Sequence, residues 1–289
     1  MPAATPPELE GNRPAATSRT RVARHRPHPH LRGLVAGIVG FQERASGPLE
    51  RRQPAGALLP LVLSFGDPLE VTALSDGAGT GTYSSFVAGF MTGHAATRYV
   101  GTQRCVQVYL TPEGASRLLG VPGSDLARRV VAVDDVAPFL GGSLPDRLDS
   151  ASSWAERIAL VEGELLSALA ESDEPDPLVD WMWDRLRRSG GRARIGDLVA
   201  RTGWSHRHVT TRFARRVGVG PKAAAGVIRF ERAAAELGRV PLPDLAVRHG
   251  YADQSHLTRE MLRYAGEPPA RLAGGERPTA YTALGTTPA

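Results

Sequence analysis

The chain is poor in the residues that most directly advertise chemistry. It has one cysteine, Cys105, and one lysine, Lys222, in 289 residues. A single cysteine excludes an intramolecular disulfide and any zinc site built on paired thiolates. It lies in Cys105-Val-Gln-Val-Tyr109, an alternation suited to a strand, where a thiol acts as a small buried apolar group. No uninterrupted apolar run approaches the roughly 20 residues that a membrane helix needs. The opening residues, MPAATPPELE, offer no basic start leading into an apolar core, so no signal peptide is expected. These absences predict a cytoplasmic protein without a membrane partner.

Histidine is scarce where a catalytic metal would need it. A metal-dependent barrel enzyme wants two or three His with a carboxylate on facing strands. Between 31 and 145 the chain has His94 alone, set between Gly93 and Ala95 as in a loop. The other cluster, H25-R-P-H-P-H30, has no carboxylate or cysteine at ligand spacing, and its prolines prevent a helix from aligning the rings. No metal and no cofactor is expected. Cys105 as a nucleophile would need a histidine and a carboxylate that only the fold could bring to it.

What is present is ordinary globular composition, 42% hydrophobic and 22% charged, at a length that suits two compact domains. The net charge of +5 conceals a division. Residues 185–275 hold 18 basic against 7 acidic side chains, a net of +11, which leaves −6 on the remainder. A basic segment beside an acidic one points to a polyanion partner for one domain, since clustered cations bind phosphates with release of counterions. The preference for Arg carries no weight of its own in a chain rich in Ala, Gly, Arg and Pro throughout.

Residues 1–30 combine Pro, Ala, Thr and Arg without periodicity and read as a disordered tail. From 31 to 145, short Val-, Leu-, Phe- and Tyr-rich runs alternate with Gly, Pro and Asp, as in L58-L-P-L-V-L-S-F65, Y83-S-S-F-V-A-G-F90 and C105-V-Q-V-Y-L110. Such runs predict a β-rich sandwich or small barrel, with short helices near 115–119 and 124–128. Residues 146–175 read as a helical linker: Trp154, Ile158, Val161, Leu165 and Leu169 share one stripe, ahead of the Pro-broken stretch 172–177. That stripe suits either a dimer interface or packing on the β domain. Residues 176–275 are helical, and 276–289 form a second tail.

Within 176–275 one pattern occurs twice, as G203-W-S-H-R-H-V-T-T-R-F-A-R-R-V-G218 and G250-Y-A-D-Q-S-H-L-T-R-E-M-L-R-Y-A-G266. Each copy follows a short apolar helix face, Ile195, Leu198 and Val199 or Leu242, Leu245 and Ala246. A glycine then permits a tight turn, and Ser205 or Asp253 caps the next helix. Val209, Phe213 and Val217 point inward in the first copy, leaving Arg207, Thr211 and Arg215 outward with His208 at their flank. Leu257 and Met261 point inward in the second, leaving Ser255, Arg259 and Arg263 outward, and Leu262 also falls on the outer side. Pro221 opens a connecting helix between the copies. Two helix-turn-helix units on a stiff connector suit major-groove reading of double-stranded DNA. His208 and His256 read as packing or phosphate-touching residues, and Arg188, Arg192 and Arg194 as a solvated or phosphate-facing run.

Residues 178–272 resemble the DNA-binding domain of the AraC/XylS family of bacterial transcription regulators, most specifically in I228-R-F-E-R-A-A-A-E-L237 and L245-A-V-R-H-G-Y-A-D-Q-S-H-L-T-R259. The resemblance implies two recognition helices joined by a long helix and entering successive major-groove faces. By position it assigns Arg207, Thr210 and Thr211 to the first reader and Gln254, Ser255, Thr258 and Arg259 to the second. Thr211 departs from a common family Arg, and Met261 and Ala265 depart from aromatic core residues. The run V106-Q-V-Y-L-T-P-E-G-A-S-R-L-L-G-V-P122 is similar to the sensing domains that precede this unit in the family. An α+β protein is therefore expected: a β-rich sensor or dimerisation domain, then an all-α DNA-binding domain. Its function would be sequence-specific regulation of transcription without enzymatic activity. Its partners would be operator DNA, a small-molecule effector, a second copy in a homodimer and, for an activator, RNA polymerase. The alternative is a metal-independent β-barrel enzyme, or a ligand-binding module, fused to a DNA-binding domain.

Overall fold

The computed structural model describes residues 18–274. The tail expected at 276–289 and most of the one expected at 1–30 fall outside that range. The architecture is α+β, a curled antiparallel sheet followed by a helical region. Its strands are β1 (Ser18–His25), β2 (Val35–Gln53), β3 (Leu59–Ser64), β4 (Leu69–Leu74), β5 (Gly81–Tyr83), β6 (Phe86–Ala88), β7 (Ala95–Leu110) and β8 (Val130–Ala132). They lie in the order β1-β2-β7-β3-β6-β8, with β4 bridging β5 and β7.

Two long strands organise the sheet. β7 pairs with β2 along nearly its whole length, while its first half also pairs with β4 and its second half with β3. The strand bends between these halves at Gly101, whose φ of 92° suits glycine, and β2 takes up the bend in a register shift between Ala45 and Leu49. The tail expected through residue 30 needs correction. Residues 18–25 form β1, registered on β2 from Ser18↔Ala45 to His25↔Ile38. Thr20 donates to the buried Glu43 carboxylate at 2.7 Å, and Val22 packs against the sheet's apolar side. The arginines of β1 obscure its alternation because an edge strand turns one face to water.

Helices α1 (Pro112–Leu119), α2 (Gly123–Leu126), α3 (Val133–Val136), α4 (Leu144–Ser150) and α5 (Trp154–Ala170) follow the sheet. α5 lies on the sheet: Ile158, Val161 and Leu165 are buried in one cluster with Ile38, Val106 and Val108. Gly40 leaves room for the Trp154 ring, which a side chain at that position would overlap. Of the two uses open to the apolar stripe, this one is intramolecular packing, and the segment read as a linker is a layer over the sheet. The sheet's other face encloses a cavity of about 580 Å³ lined by Phe41, Val71, Phe86 and Cys105, with Tyr99 and Gln103 as polar points.

The remaining helices are α6 (Pro177–Arg188), α7 (Ile195–Ala200), α8 (His206–Val217), α9 (Pro221–Glu236), α10 (Leu242–Arg248), α11 (Gln254–Ala265) and α12 (Pro269–Gly274). Among the described residues no helix is long and apolar enough to cross a membrane. Because α5 is core, Leu165→Ala should cost about 2–5 kcal/mol of stability. The half-buried Leu169→Ala should cost less. Urea unfolding read by circular dichroism checks the order, and Val161→Glu with Leu165→Glu should yield unfolded protein rather than a soluble monomer.

Candidate nucleic-acid interface

The two duplicated units have the same local construction. α7 and α8 are joined through Gly203 at φ 72°, α10 and α11 through Gly250 at φ 73°, left-handed conformations that favour glycine. Ser205 accepts a hydrogen bond from the His208 amide at 3.2 Å and Asp253 from the His256 amide at 2.7 Å, so each second helix starts at a satisfied cap. Val209, Phe213 and Val217 are buried on α8, and Leu257, Met261, Tyr264 and Ala265 on α11. α9 holds the pair through Val227, Phe230 and Ala233. The aromatic expected but missing at 261 and 265 is supplied one helical step away: Tyr264 packs on Phe230 with ring centroids 5.2 Å apart. Gly226 leaves the room its hydroxyl occupies.

The outward faces carry the cations. Arg207, Thr211 and Arg215 are exposed on α8, as are Gln254, Ser255, Arg259 and Arg263 on α11. Among the described residues Arg207, Arg215 and Arg259 have no ion-pair partner, while Arg263 lies over the Tyr264 ring at 5.2 Å. The helices' other arginines are committed elsewhere: Arg212 pairs with Asp176 at 2.6 Å, and Arg216 makes two 2.8 Å bonds to Glu113. Thr210 and Thr258 are half-buried, and their hydroxyls donate to their own helices, at 2.8 Å to His206 O and 2.9 Å to Gln254 O. What those two positions offer a ligand is a methyl group. Leu262 is 44% exposed among the outward residues of α11.

Sequence reading did not find how tightly the β region grips this unit. Trp183 of α6 stands edge-on to Phe90 of the β region at 6.1 Å and against Phe213 of α8 at 6.4 Å, so one apolar core runs through both. Gly123 of α2 lies so close to the Arg216 carbonyl that a side chain there would overlap it. On the far side, the Ala55 amide donates to Tyr264 O at 2.8 Å, the Ala57 amide donates to Glu231 at 2.8 Å, and His94 lies against Gly266. The C-terminal ends of both α8 and α11 are thus held by the first domain, while their N-terminal ends face outward. Between the Ser116–Pro122 wall and Arg207, Thr211 and Arg215 lies an open groove of about 740 Å³. Asp180, half-buried beside Glu113 and Arg216, has its carboxyl pushed up to about 6, first by burial and then by the Glu113 charge. No single stretch of sequence signals these contacts, because Arg216 and Glu113 are 103 residues apart.

Two like helix-turn-helix units, capped alike and cationic on their outward faces, define a DNA-binding helix-turn-helix protein. Residues 198–274 match a family model described as a helix-turn-helix domain, of the AraC type. Among solved structures, ToxT from Vibrio cholerae is similar at 10% identity and TM-score 0.46, over 89% of this chain and 98% of that one. ToxT with unsaturated fatty acid bound is similar at 9% identity and TM-score 0.44, over 80% and 96%. The C-terminal domain of AraT, a response regulator from Geobacillus stearothermophilus, is similar at 19% identity and TM-score 0.33, over 37% and 92%. No curated protein matches the chain.

The outward, unpaired Arg207 and Arg259, in the first half of each helix, should act differently from Arg215 in the last turn of α8. Arg207→Ala and Arg259→Ala are each expected to reduce discrimination between selected and random duplexes by about 1–3 kcal/mol. Arg215→Ala should weaken both duplexes alike. Competition titrations of the full chain separate the two effects.

Proposed function

We propose that the chain is a cytoplasmic, non-enzymatic transcription regulator that reads DNA through α8 and α11 under the control of its first domain. The observation that carries this reading is the pair of matched helices whose outward Arg207, Arg215 and Arg259 lack acidic partners among the described residues, while the flank arginines of α8, Arg212 and Arg216, are neutralised within the chain. Arg207, Arg215 and Arg259 are the cations left for phosphates and base edges. Binding to genomic duplex fragments should fall steeply with salt, as counterion release requires. A full-length chain that shifted no fragment at low salt would overturn the reading.

The cavity suits a small, largely apolar effector with hydrogen-bonding groups. α9 lines it through Ile228, Glu231, Arg232 and Ala235, so an occupant would touch the helix that spaces the readers. By reciprocity, such a molecule should bind more tightly or more weakly when DNA is present. The rival enzymatic reading gains little from Cys105, which is buried with its thiol pushed up to about 12 by desolvation. A homodimer would have to use a surface other than the buried α5 stripe, and an activator would also contact RNA polymerase.

The groove beside α8 gives the control a direction. A major groove about 12 Å wide must admit the whole reader, and the Ser116–Pro122 wall stands beside its face. In this reading the Glu113–Arg216 pair holds the first reader back, and releasing it favours DNA. Glu113→Gln should therefore raise affinity for selected duplex roughly 3–10-fold, about 0.7–1.4 kcal/mol at 1.4 kcal/mol per tenfold. Asp180 faces Glu113, Asp176 and Arg216. Its raised value means the closed arrangement takes up a proton, so closure gains support as pH falls through about 6 and loses it as pH rises through the same value. Asp180→Asn should bind DNA more weakly than wild type at pH 7.5, with the difference narrowing as pH falls below about 6, measured by anisotropy at constant ionic strength.

A further inference from the structure

The duplication supplies an internal control that singles out one side chain. Both copies place an aromatic directly after the turn glycine, but the turns differ in length: one residue separates Gly203 from the cap Ser205, and two separate Gly250 from the cap Asp253. The extra residue lets Tyr251 fold inward. It is buried, with the Arg229 guanidinium 4.8 Å above its ring and His256 edge-on at 5.3 Å. The residue just before the second cap is then Ala252. In the first copy that same place is filled by Trp204, which is 56% exposed. Its indole stacks on the His208 imidazole with centroids 4.5 Å apart and planes 19° apart.

This indole is not part of the core, which Val209, Phe213 and Trp183 complete without it. Nor is it loosely placed. The Trp204 amide donates to the Thr202 hydroxyl at 3.2 Å and the His208 amide to the cap Ser205, so both rings of the stack are carried on fixed backbone. On α8 the inward direction is set by Val209, Phe213 and Val217. At 100° per residue His208 lies within about 40° of the opposite, outward direction, beside Thr211 and Arg215. The stack therefore extends the outward face past the N-terminal end of the reader, the end that meets base edges when a recognition helix enters the major groove. An apolar plate among arginines there has one complement on the floor of that groove, the thymine C5-methyl group.

We propose that Trp204, braced by His208, is a specificity-determining residue of the first reader, which packs on a thymine methyl and for which the second reader has no counterpart. The inference rests on α8 seating in DNA. It predicts an asymmetric site, with a thymine preference in the half read by α8 that depends on the indole.

The test uses the full chain and duplexes it selects from a random-sequence pool, resynthesised with deoxyuridine in place of thymidine at one position at a time. That replacement removes the methyl and preserves pairing. Wild type should lose about 3–10-fold in affinity at one thymine in one half of the site. Trp204→Ala should bind the thymidine duplex several-fold more weakly and show no further loss with deoxyuridine at that position, while Trp204→Phe should retain part of the effect. His208→Ala should reduce the sensitivity without abolishing it, and unchanged thermal midpoints would show that the variants are folded. A site without a uracil-sensitive thymine would overturn the proposal. So would a Trp204→Ala protein that kept the sensitivity, or one that lost affinity equally for selected and random duplexes. If Arg207→Ala still altered selection in those cases, DNA reading by α8 would stand and the indole's role alone would fall. Failure of wild type to select any duplex would remove both.

Discussion

The contact on which most else depends is the insertion of Trp183 between Phe90 of the β region and Phe213 of the first reader. An aromatic buried from both sides welds the sheet's helical cover to the helix-turn-helix unit through one apolar core. Burial of a Trp side chain is worth a few kcal/mol, and the two-pronged Glu113–Arg216 bond adds a second link between the same two regions. This shared core packs α8 directly on the β region. Any change in the first domain that alters the seat of Trp183 or of α1 and α2 must alter the position of α8.

The same logic explains the distribution of charge. A helix with arginines on every polar side would repel the helices packed against it. The chain neutralises the flank that faces inward, Arg212 with Asp176 and Arg216 with Glu113, and leaves the outward face bare. Asp176 serves twice, since its other carboxylate oxygen accepts the amides of Leu178 and Val179 and starts α6. Cap, ion pair and aromatic wedge thus meet within a few residues at the junction. On the opposite side, backbone contacts from Ala55 and Ala57 fix α11 and α9 to the strand-connecting loop beside the cavity.

How much of this was legible in the sequence depended on the range of the interaction. α8 and α11 could be read residue by residue, because helical periodicity, a cap such as Ser205 or Asp253 and a terminal glycine are local signals. β2 was not, since Gly37, Gly40, Gly47 and Pro48 punctuate a strand that the structure carries from Val35 to Gln53. Its glycines answer to distant demands, Gly40 to the ring of Trp154. β1 was hidden by edge arginines. The Glu113–Arg216 pair has no sequence signature at all. Trp204 had one that is easily passed over, the single-residue difference between the two turns, which turns one aromatic outward and the other in.

The account stands or falls on two readers acting together on one face of DNA. Hydroxyl-radical footprinting of the full chain on a selected genomic fragment tests that most directly. The account predicts two protected patches centred about one helical turn, roughly 10 base pairs, apart on the same side of the duplex. A single patch, or two patches on opposite sides, would contradict it.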